Sequence, residues 1–229
     1  MADNLTTCIE FLGLPGSGKS FFSHKVAEKL RGGGLDIIEP SWILDNSYGK
    51  YSRVIQKSIM AFCYSISHRN TAKKLKKIIR ECGYRGSEAQ SFKRNILYKA
   101  YLLSKKQKSI LIFDEGMAQM AVSLSANGVR FAREIYDEMD HILELSSRTL
   151  SIRIDCDINK ALTNMNKRVS NDSRVEKLPD SESKQIMLLR FKQECESMEV
   201  AELQVVQFSY DTDAIISSII EFIKQSINK

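Results

Sequence analysis

The stretch FLGLPGSGKSFF, residues 11–22, decides which kind of fold this chain can adopt. Gly13 is followed after four residues by Gly18-Lys19-Ser20, which matches the spacing G-x-x-x-x-G-K-[ST] of a phosphate-binding loop. Glycines let successive backbone N–H groups turn inward around an anion, which a side chain would block. In such a loop the lysine reaches the β- and γ-phosphates, and the Ser20 hydroxyl is a ligand of Mg²⁺.

The sequence on either side of the loop favours this interpretation over a chance glycine-rich turn. The preceding TCIEFL, residues 7–12, is short, apolar and partly β-branched, as expected for a buried strand. After the loop, apolar residues recur at helical spacing, so the loop opens a helix whose dipole adds to the anion site. We therefore expect ATP to bind here, through Gly13, Pro15, Gly16, Ser17, Gly18, Lys19, Ser20 and Phe21.

The composition is that of one globular domain, which we assign to residues 1–229. Its 34 basic and 28 acidic residues give a net charge of +6 and a pI near 9.0, which suits an anionic ligand such as a nucleotide. This surplus is too diffuse to indicate nucleic acid, so no nucleic acid partner is expected.

Cysteine usage and the lack of long apolar runs indicate a cytoplasmic protein. The five cysteines are scattered and include no C-x-x-C pair, which favours reduced buried thiols and argues against a zinc site. The N-terminus MADNLTTC lacks the basic and apolar regions of a signal peptide, and no apolar run is long enough to span a membrane.

Short apolar runs alternate with helical patterns, which predicts an α/β fold with a parallel sheet covered by helices on both faces. The predicted strands are 7–12, 35–38, 109–113, 150–154 and 203–208. Such sheets bind ligands at the carboxyl ends of their strands, where the phosphate-binding loop already lies.

The third predicted strand ends in two carboxylates, Asp114 and Glu115. Beside a phosphate-binding loop, Asp114 is expected to hold Mg²⁺ together with Ser20. Glu115 could join the metal site, orient a water or hydroxyl group, or cap the helix that follows. A carboxylate at a strand end is often structural, but the loop favours the metal-binding interpretation for Asp114.

The second predicted strand is followed by Glu39-Pro40-Ser41-Trp42, which we interpret as a turn aimed at the same cleft. Glu39 could act there as a general base or hydrogen bond to an acceptor hydroxyl, and the alternative is a solvated turn residue. Trp42 could stack on an acceptor ring, although a lone tryptophan is more often packing.

Two basic segments could also take part. Arg168 and Arg174 lie in the polar stretch 166–178 and are expected to be catalytic cations that a lid brings over the γ-phosphate, with a solvated loop as the alternative. Arg153, on the fourth predicted strand, is a weaker candidate. The run Lys73–Lys77 is more typical of a solvated helix face than of an acceptor site.

Taken in order, the loop, Glu39-Pro40, Asp114 and the arginine-bearing polar segment resemble the thymidylate kinase and deoxynucleoside kinase branch of the P-loop kinases. The segment FDEGMAQMAVSL, residues 113–124, also looks like thymidylate-kinase-like ATP-binding proteins. The resemblance implies a P-loop NTPase three-layer sandwich with a five-stranded sheet in the order 2-3-1-4-5. It also implies that 51–104 is part of the acceptor site and that 166–180 is the lid.

The chain departs from that branch at three positions. Glu115 stands where arginine is usual, Asn164 replaces the first lid arginine, and Ser173 replaces a lid aspartate. These departures bear on the choice of acceptor more than on the kinase interpretation.

Two functions follow from these residues. The first is a kinase that transfers the γ-phosphoryl of MgATP to a small-molecule acceptor, such as a nucleoside, a nucleoside monophosphate or a sugar. The second is an ATPase switch or ATP-binding regulatory module that acts on a protein partner, which a strand-ending Asp-Glu pair also allows. A GTPase is disfavoured because Asn159-Lys160-Ala161-Leu162 lacks the aspartate of N-K-x-D. A homodimer is the candidate assembly.

Overall fold

Five strands of the described chain form one parallel sheet at the centre of the fold. The computed structural model describes residues 7–47, 50–105, 108–143, 148–167, 175–198, 200, 202–208 and 211–227. The strands are β1 (Thr7–Gly13), β2 (Ile37–Ile38), β3 (Ile110–Phe113), β4 (Arg148–Asp155) and β5 (Leu203–Gln207). Their spatial order is β2-β3-β1-β4-β5 with every pairing parallel, so the predicted strand order is confirmed.

Ten helices of the described chain surround this sheet. They are α1 (Lys19–Gly32), α2 (Pro40–Ser47), α3 (Lys50–Ser67), α4 (Arg69–Glu81), α5 (Gly86–Ser104), α6 (Met117–Ser125), α7 (Ala132–Leu143), α8 (Ile158–Asn166), α9 (Ser181–Ser197) and α10 (Thr212–Ile227). The described residues between β2 and β3 thus form four helices, of which α3 and α4 are separated at His68.

Helices bury both faces of the sheet. Successive side chains of a strand point to opposite faces, so neighbouring residues of one strand enter different cores. In β1, Cys8 packs into the core formed with α3 to α7, whereas Ile9 and Phe11 pack against α1 and α10. A third cluster joins the loop end of β1 to α6, α8 and α9. The result is the predicted three-layer arrangement of helices, sheet and helices.

Two local expectations from the sequence are wrong. The segment that begins at Pro40 is a helix and not a turn, because proline at the first helical position lacks only an N–H that would have no partner within the helix. The edge strand β2 is shorter than predicted, whereas β4 is longer because it pairs with β1 and β5 along its length.

In the described part of the chain, no helix is long and apolar enough to cross a membrane.

Candidate functional site

The phosphate-binding loop connects the carboxyl end of β1 to the start of α1. Gly18 has a left-handed backbone (φ 89°) and precedes a first turn that begins with Lys19 and Ser20. The first N–H groups of a helix have no partner within it, and the helix dipole makes that end positive. The local structure is therefore suited to an anion such as a phosphate group.

Contacts from distant segments hold this loop in place. Gly16 has φ 84°, and a Cβ atom there would collide with the carbonyl oxygen of Ala161 in α8. From the same helix, Asn164 Nδ2 donates a hydrogen bond to Gly16 O at 2.9 Å. Asn164, which replaces an arginine of the resembled family, thus supports the loop. On the other side, Gly13 N donates to Gln119 Oε1 at 3.0 Å.

The side chain of Lys19 lies along the loop itself. Its Nζ donates to the carbonyl oxygens of Gly13 and Leu14, both at 2.9 Å, and the residue is buried. The ammonium group is therefore held at the floor of the loop, where it can neutralise the charge of a bound triphosphate.

Two predicted metal ligands meet at the edge of the sheet. Ser20 Oγ donates a hydrogen bond to Asp114 Oδ2 at 2.9 Å, although the residues are 94 positions apart in the sequence. A hydroxyl and a carboxylate are the hard oxygen ligands that Mg²⁺ takes together with substrate phosphates. Their chemistry therefore fits Mg²⁺, while within the described residues no cluster of three or more His, Cys, Asp or Glu side chains is arranged for a metal.

A cavity of about 540 Å³ opens beside the loop. Glu115 lines this cavity and its side chain is exposed. The neighbouring Asp114 instead accepts the hydrogen bond from Ser20. The described residues that line the cavity come from the loop, α5, α6, α9 and the segment before α9: Pro15, Gly16, Gly18, Lys19, Ser20, Ser87, Glu88, Ser91, Phe92, Asn95, Glu115, Gln119, Met120, Ser123, Val175, Lys177 and Phe191.

A buried glutamate on β1 is a site residue that the sequence analysis missed. Glu10 is 1% exposed, and its carboxylate accepts hydrogen bonds from Ser151 Oγ at 2.9 Å and from Ala118 N at 3.2 Å. Burial raises the pKa of the Glu10 carboxyl, and these hydrogen bonds act in the opposite direction. Because Ala118 is in the first turn of α6, Glu10 anchors the segment that follows Asp114 and Glu115. The signal was a single charged residue within the otherwise apolar strand TCIEFLG.

Lys99 of α5 lies in the same buried region. It lines a small cavity together with Glu10 and Cys8. Burial lowers the pKa of Lys99, and the charges of Glu115, Asp114 and Glu10 raise it, with Glu115 contributing most.

Glu39 lies apart from the large cavity. Its carboxylate is buried and forms an ion pair with Arg31 Nη2 at 2.7 Å, and His24 Nδ1 lies 3.2 Å away. The ring of His24 stacks on Trp42 with a centroid distance of 3.5 Å. Glu39 and Trp42 line a second cavity of about 160 Å³, which adjoins Ser20 and Asp114.

The other predicted site residues have varied surroundings. Ser17 is fully buried, and its Oγ has no hydrogen-bond partner within the described part of the chain. Phe21 is half exposed and packs edge-on against Phe22. Arg168 and Arg174 lie outside the described residues.

Two further basic candidates, Arg153 and the run Lys73–Lys77, do not line the large cavity. Arg153 Nε pairs with Asp155 Oδ1 at 2.9 Å, and its Nη1 donates to Cys195 O at 3.2 Å. The run Lys73–Lys77 lies on α4, whose apolar positions are buried while its lysines are exposed along a separate surface groove.

Neither a protein-family model nor a curated protein sequence matches this chain. Among solved structures, the chain is similar to a thymidylate kinase from Candida albicans with a TM-score of 0.54. The match covers 98% of this chain and 93% of that protein at 16% sequence identity. The chain has the P-loop NTPase fold of a thymidylate kinase. At this identity the similarity establishes the fold alone, and a function has to be argued from the site.

Proposed function

We propose that this protein is a kinase that transfers the γ-phosphoryl group of MgATP to a small-molecule acceptor. The observation that carries the proposal is the hydrogen bond of 2.9 Å between Ser20 and Asp114, next to Lys19 and at the wall of the large cavity. A site for the triphosphate and its metal therefore adjoins a space large enough for a second substrate.

Each group has a role that follows from its chemistry. Lys19 and the first N–H groups of α1 neutralise and orient the phosphates, and Ser20 and Asp114 supply oxygen ligands for Mg²⁺. When bound, Mg²⁺ neutralises phosphate charge. Phosphoryl transfer needs mainly such positioning and charge neutralisation, so we assign the same kind of role to Arg168 and Arg174.

We propose a structural role for Glu39 instead of the general-base role that its sequence position suggested. Its carboxylate is buried and paired with Arg31, which leaves it poorly placed to accept a proton from a molecule in the large cavity. The ion pair instead joins the end of α1 to the segment that begins α2.

A nucleoside-like acceptor is favoured by the lining of the large cavity. Phe92 offers an aromatic ring, and Ser91, Asn95 and Ser123 offer groups that donate and accept hydrogen bonds. An aromatic ring with neighbouring polar groups is suited to a planar base and its substituents. The similar fold of a thymidylate kinase supports the same class of acceptor.

The test is release of ADP from MgATP, measured alone and with nucleosides, nucleoside monophosphates and sugars. One acceptor should stimulate release and yield a phosphorylated product in mass spectrometry. Lys19→Ala should lose ATP binding and turnover while its circular dichroism spectrum stays unchanged. A steady rate that no acceptor raises would instead favour the ATPase switch.

We also propose that two copies pair through α3. Large apolar side chains form an exposed stripe on this helix at the 4-4-3-4 spacing of a helix–helix seam: Tyr51, Ile55, Ile59, Phe62 and Ile66. The charges of α3, among them Arg53 and Lys57, lie in its N-terminal half, so an antiparallel pair brings them opposite an uncharged half.

Light scattering after gel filtration tests this pairing. Ile59→Glu should convert a dimer to a monomer, because it places a charge in the stripe. Gln90→Glu adds the same charge at an exposed position of α5 and should leave the dimer intact. A wild-type monomer at all concentrations would refute the pairing.

The five cysteines, which are all free thiols, fit our expectation of a cytoplasmic location.

A further inference from the structure

The surplus positive charge of this chain is concentrated on one helix and the turn that follows it. Residues 69–85, which contain α4, include seven basic residues and one acidic residue, a net charge of +6. The whole chain also has a net charge of +6, so the rest of it is neutral overall. The surplus is therefore not diffuse, as the composition alone suggested, but belongs to one segment.

The basic side chains of α4 are exposed, while its apolar side chains hold the helix in the core. The buried apolar residues are Ala72, Leu75, Ile78 and Ile79. The exposed cations, which we call the α4 basic face, are Arg69, Lys73, Lys74, Lys76, Lys77 and Arg80. Four of them line a surface groove of about 420 Å³. The face is thus a charged surface on a helix that the core already fixes in place.

Acidic side chains of the protein neutralise little of this face. Glu81 is the single acidic residue of the segment, and it is shared between Lys77 Nζ at 3.6 Å and Arg130 Nη1 at 3.5 Å. Within the described part of the chain, the other five cations of the face form no ion pair. Like charges four residues apart, such as Lys73 and Lys77, repel each other along a helix. A bound anion would relieve this repulsion.

The density of these charges favours a strand of nucleic acid as that anion. The six cations lie within residues 69–80, which span about 16.5 Å of helix, or about one cation per 3.3 Å. One strand of nucleic acid carries one phosphate per about 3.4 Å of its axis. An acidic polypeptide reaches this density only where every residue of an extended segment is Asp or Glu, because a strand rises about 3.3 Å per residue.

The surroundings of α4 disfavour a broad anionic surface such as a membrane. The helix exposes no large apolar side chain that could enter a bilayer. Packed against it, α7 exposes Glu134, Asp137 and Asp140. Because the axes of packed helices lie about 8–10 Å apart, a flat anionic surface held at the α4 basic face comes close to these carboxylates. A single strand is narrow enough to follow α4 alone.

We propose that the α4 basic face binds the phosphates of a single-stranded nucleic acid, at a site separate from the large cavity and independent of ATP. The face consists of Lys and Arg side chains alone, so it contacts the backbone and does not distinguish the bases. Binding of this kind depends strongly on salt, because each phosphate that a cation neutralises releases a counterion. A nucleic acid partner goes beyond both the kinase function and the expectation from the composition.

Fluorescence anisotropy with a labelled single-stranded DNA of about 20 nucleotides and mixed sequence measures this binding at several salt concentrations. Four to six phosphate contacts should give a plot of log K against log salt concentration with a slope of about −3 to −4. A lack of binding at low salt, or a flat salt dependence, would overturn the proposal. Stronger binding to anionic lipid vesicles or to polyglutamate than to the DNA would also overturn it.

The double variant Lys73→Ala/Lys76→Ala tests the place of binding. Both side chains are exposed and alanine favours a helix, so the fold should persist in circular dichroism. The variant should bind the DNA at least about ten-fold more weakly at low salt, and the slope should fall in magnitude by about 1.4. Lys73→Arg/Lys76→Arg keeps both charges and should bind as wild type does.

The matched control is Lys108→Ala/Lys224→Ala, which removes the same charge at exposed positions outside α4 and should leave DNA binding nearly unchanged. Calorimetry should give the same ATP affinity for the Lys73→Ala/Lys76→Ala variant as for wild type, because neither lysine lines the large cavity. Equal weakening of DNA binding in the control would show that overall charge is responsible and would overturn the proposed site. A fall in ATP affinity in the α4 variant would overturn its independence of the kinase site.

Discussion

Replacing Gly116 by alanine tests the packing that anchors the acidic pair. A Cβ atom at Gly116 would overlap the carboxylate and Cβ of Glu10. The backbone of Gly116 is extended (φ −88°, ψ −157°), so alanine can adopt it without strain and the cost comes from the overlap alone. The added methyl group must displace the Glu10 side chain from Ser151 and Ala118.

The size of the effect follows from these contacts. Overpacking costs about 1–3 kcal/mol, and loss of one hydrogen bond to the charged group adds about 1.5–3 kcal/mol. We expect Gly116→Ala to lower the free energy of unfolding by about 3–5 kcal/mol, which corresponds to a fall in Tm of roughly 10 °C for a chain of this size. Thermal unfolding followed by circular dichroism measures it.

A double-mutant cycle isolates the contact. Glu10→Gly removes the whole side chain, including the Cβ atom that the new methyl group would overlap, so in that background Gly116→Ala should change stability by less than about 1 kcal/mol. Gly32→Ala is the control, because a Cβ at that position in α1 meets no atom within 4 Å. An equal loss from Gly116→Ala in both backgrounds would show that the Glu10 contact is not its cause.

Three further substitutions or modifications follow from the structure. Asp114→Asn should reduce MgATP turnover by about a hundred-fold and alter its dependence on Mg²⁺ concentration, and an unaltered dependence would contradict the metal assignment. Arg31→Ala should cost about 1–2 kcal/mol in thermal unfolding because it leaves the buried Glu39 without its partner at 2.7 Å, so an unchanged Tm argues against that ion pair. Cys63 is exposed and should react first with a thiol reagent at pH 8, whereas burial raises the pKa of the Cys82 thiol to about 11 and keeps it protonated. Fast labelling that persists in Cys63→Ser would refute the assignment.

The sequence was sufficient where the information is local. The spacing of Gly13, Gly18, Lys19 and Ser20 depends on eight consecutive residues, and their conformation follows from glycine freedom and the start of a helix. The alternation of short apolar runs with helical patterns also predicted a parallel sheet covered by helices, whereas the order of its strands was implied by the resemblance to the thymidylate kinase branch.

Residues with two plausible local conformations were harder to predict. Pro40 is suited both to a turn and to the first position of a helix, and the helix observed there turns Glu39 towards Arg31. Glu39 was expected to face the cleft beside the loop, and the structure places it at a second cavity that adjoins Ser20 and Asp114, while the large cavity lies between the loop, α5 and α6. The packing of helices against the sheet decides this position, and sequence periodicity does not specify it.

The sequence by itself determined the phosphate-binding loop, the parallel sheet and the two acidic residues that follow the third strand. Only the tertiary structure revealed that Asp114 accepts the Ser20 hydroxyl while the exposed Glu115 lines the large cavity. Glu10 anchors the helix after them through hydrogen bonds to residues 108 and 141 positions away. Residues this far apart in the sequence meet only when the sheet and its helices are packed. A carboxylate that this packing buries must be hydrogen-bonded, and the sequence does not specify its partners.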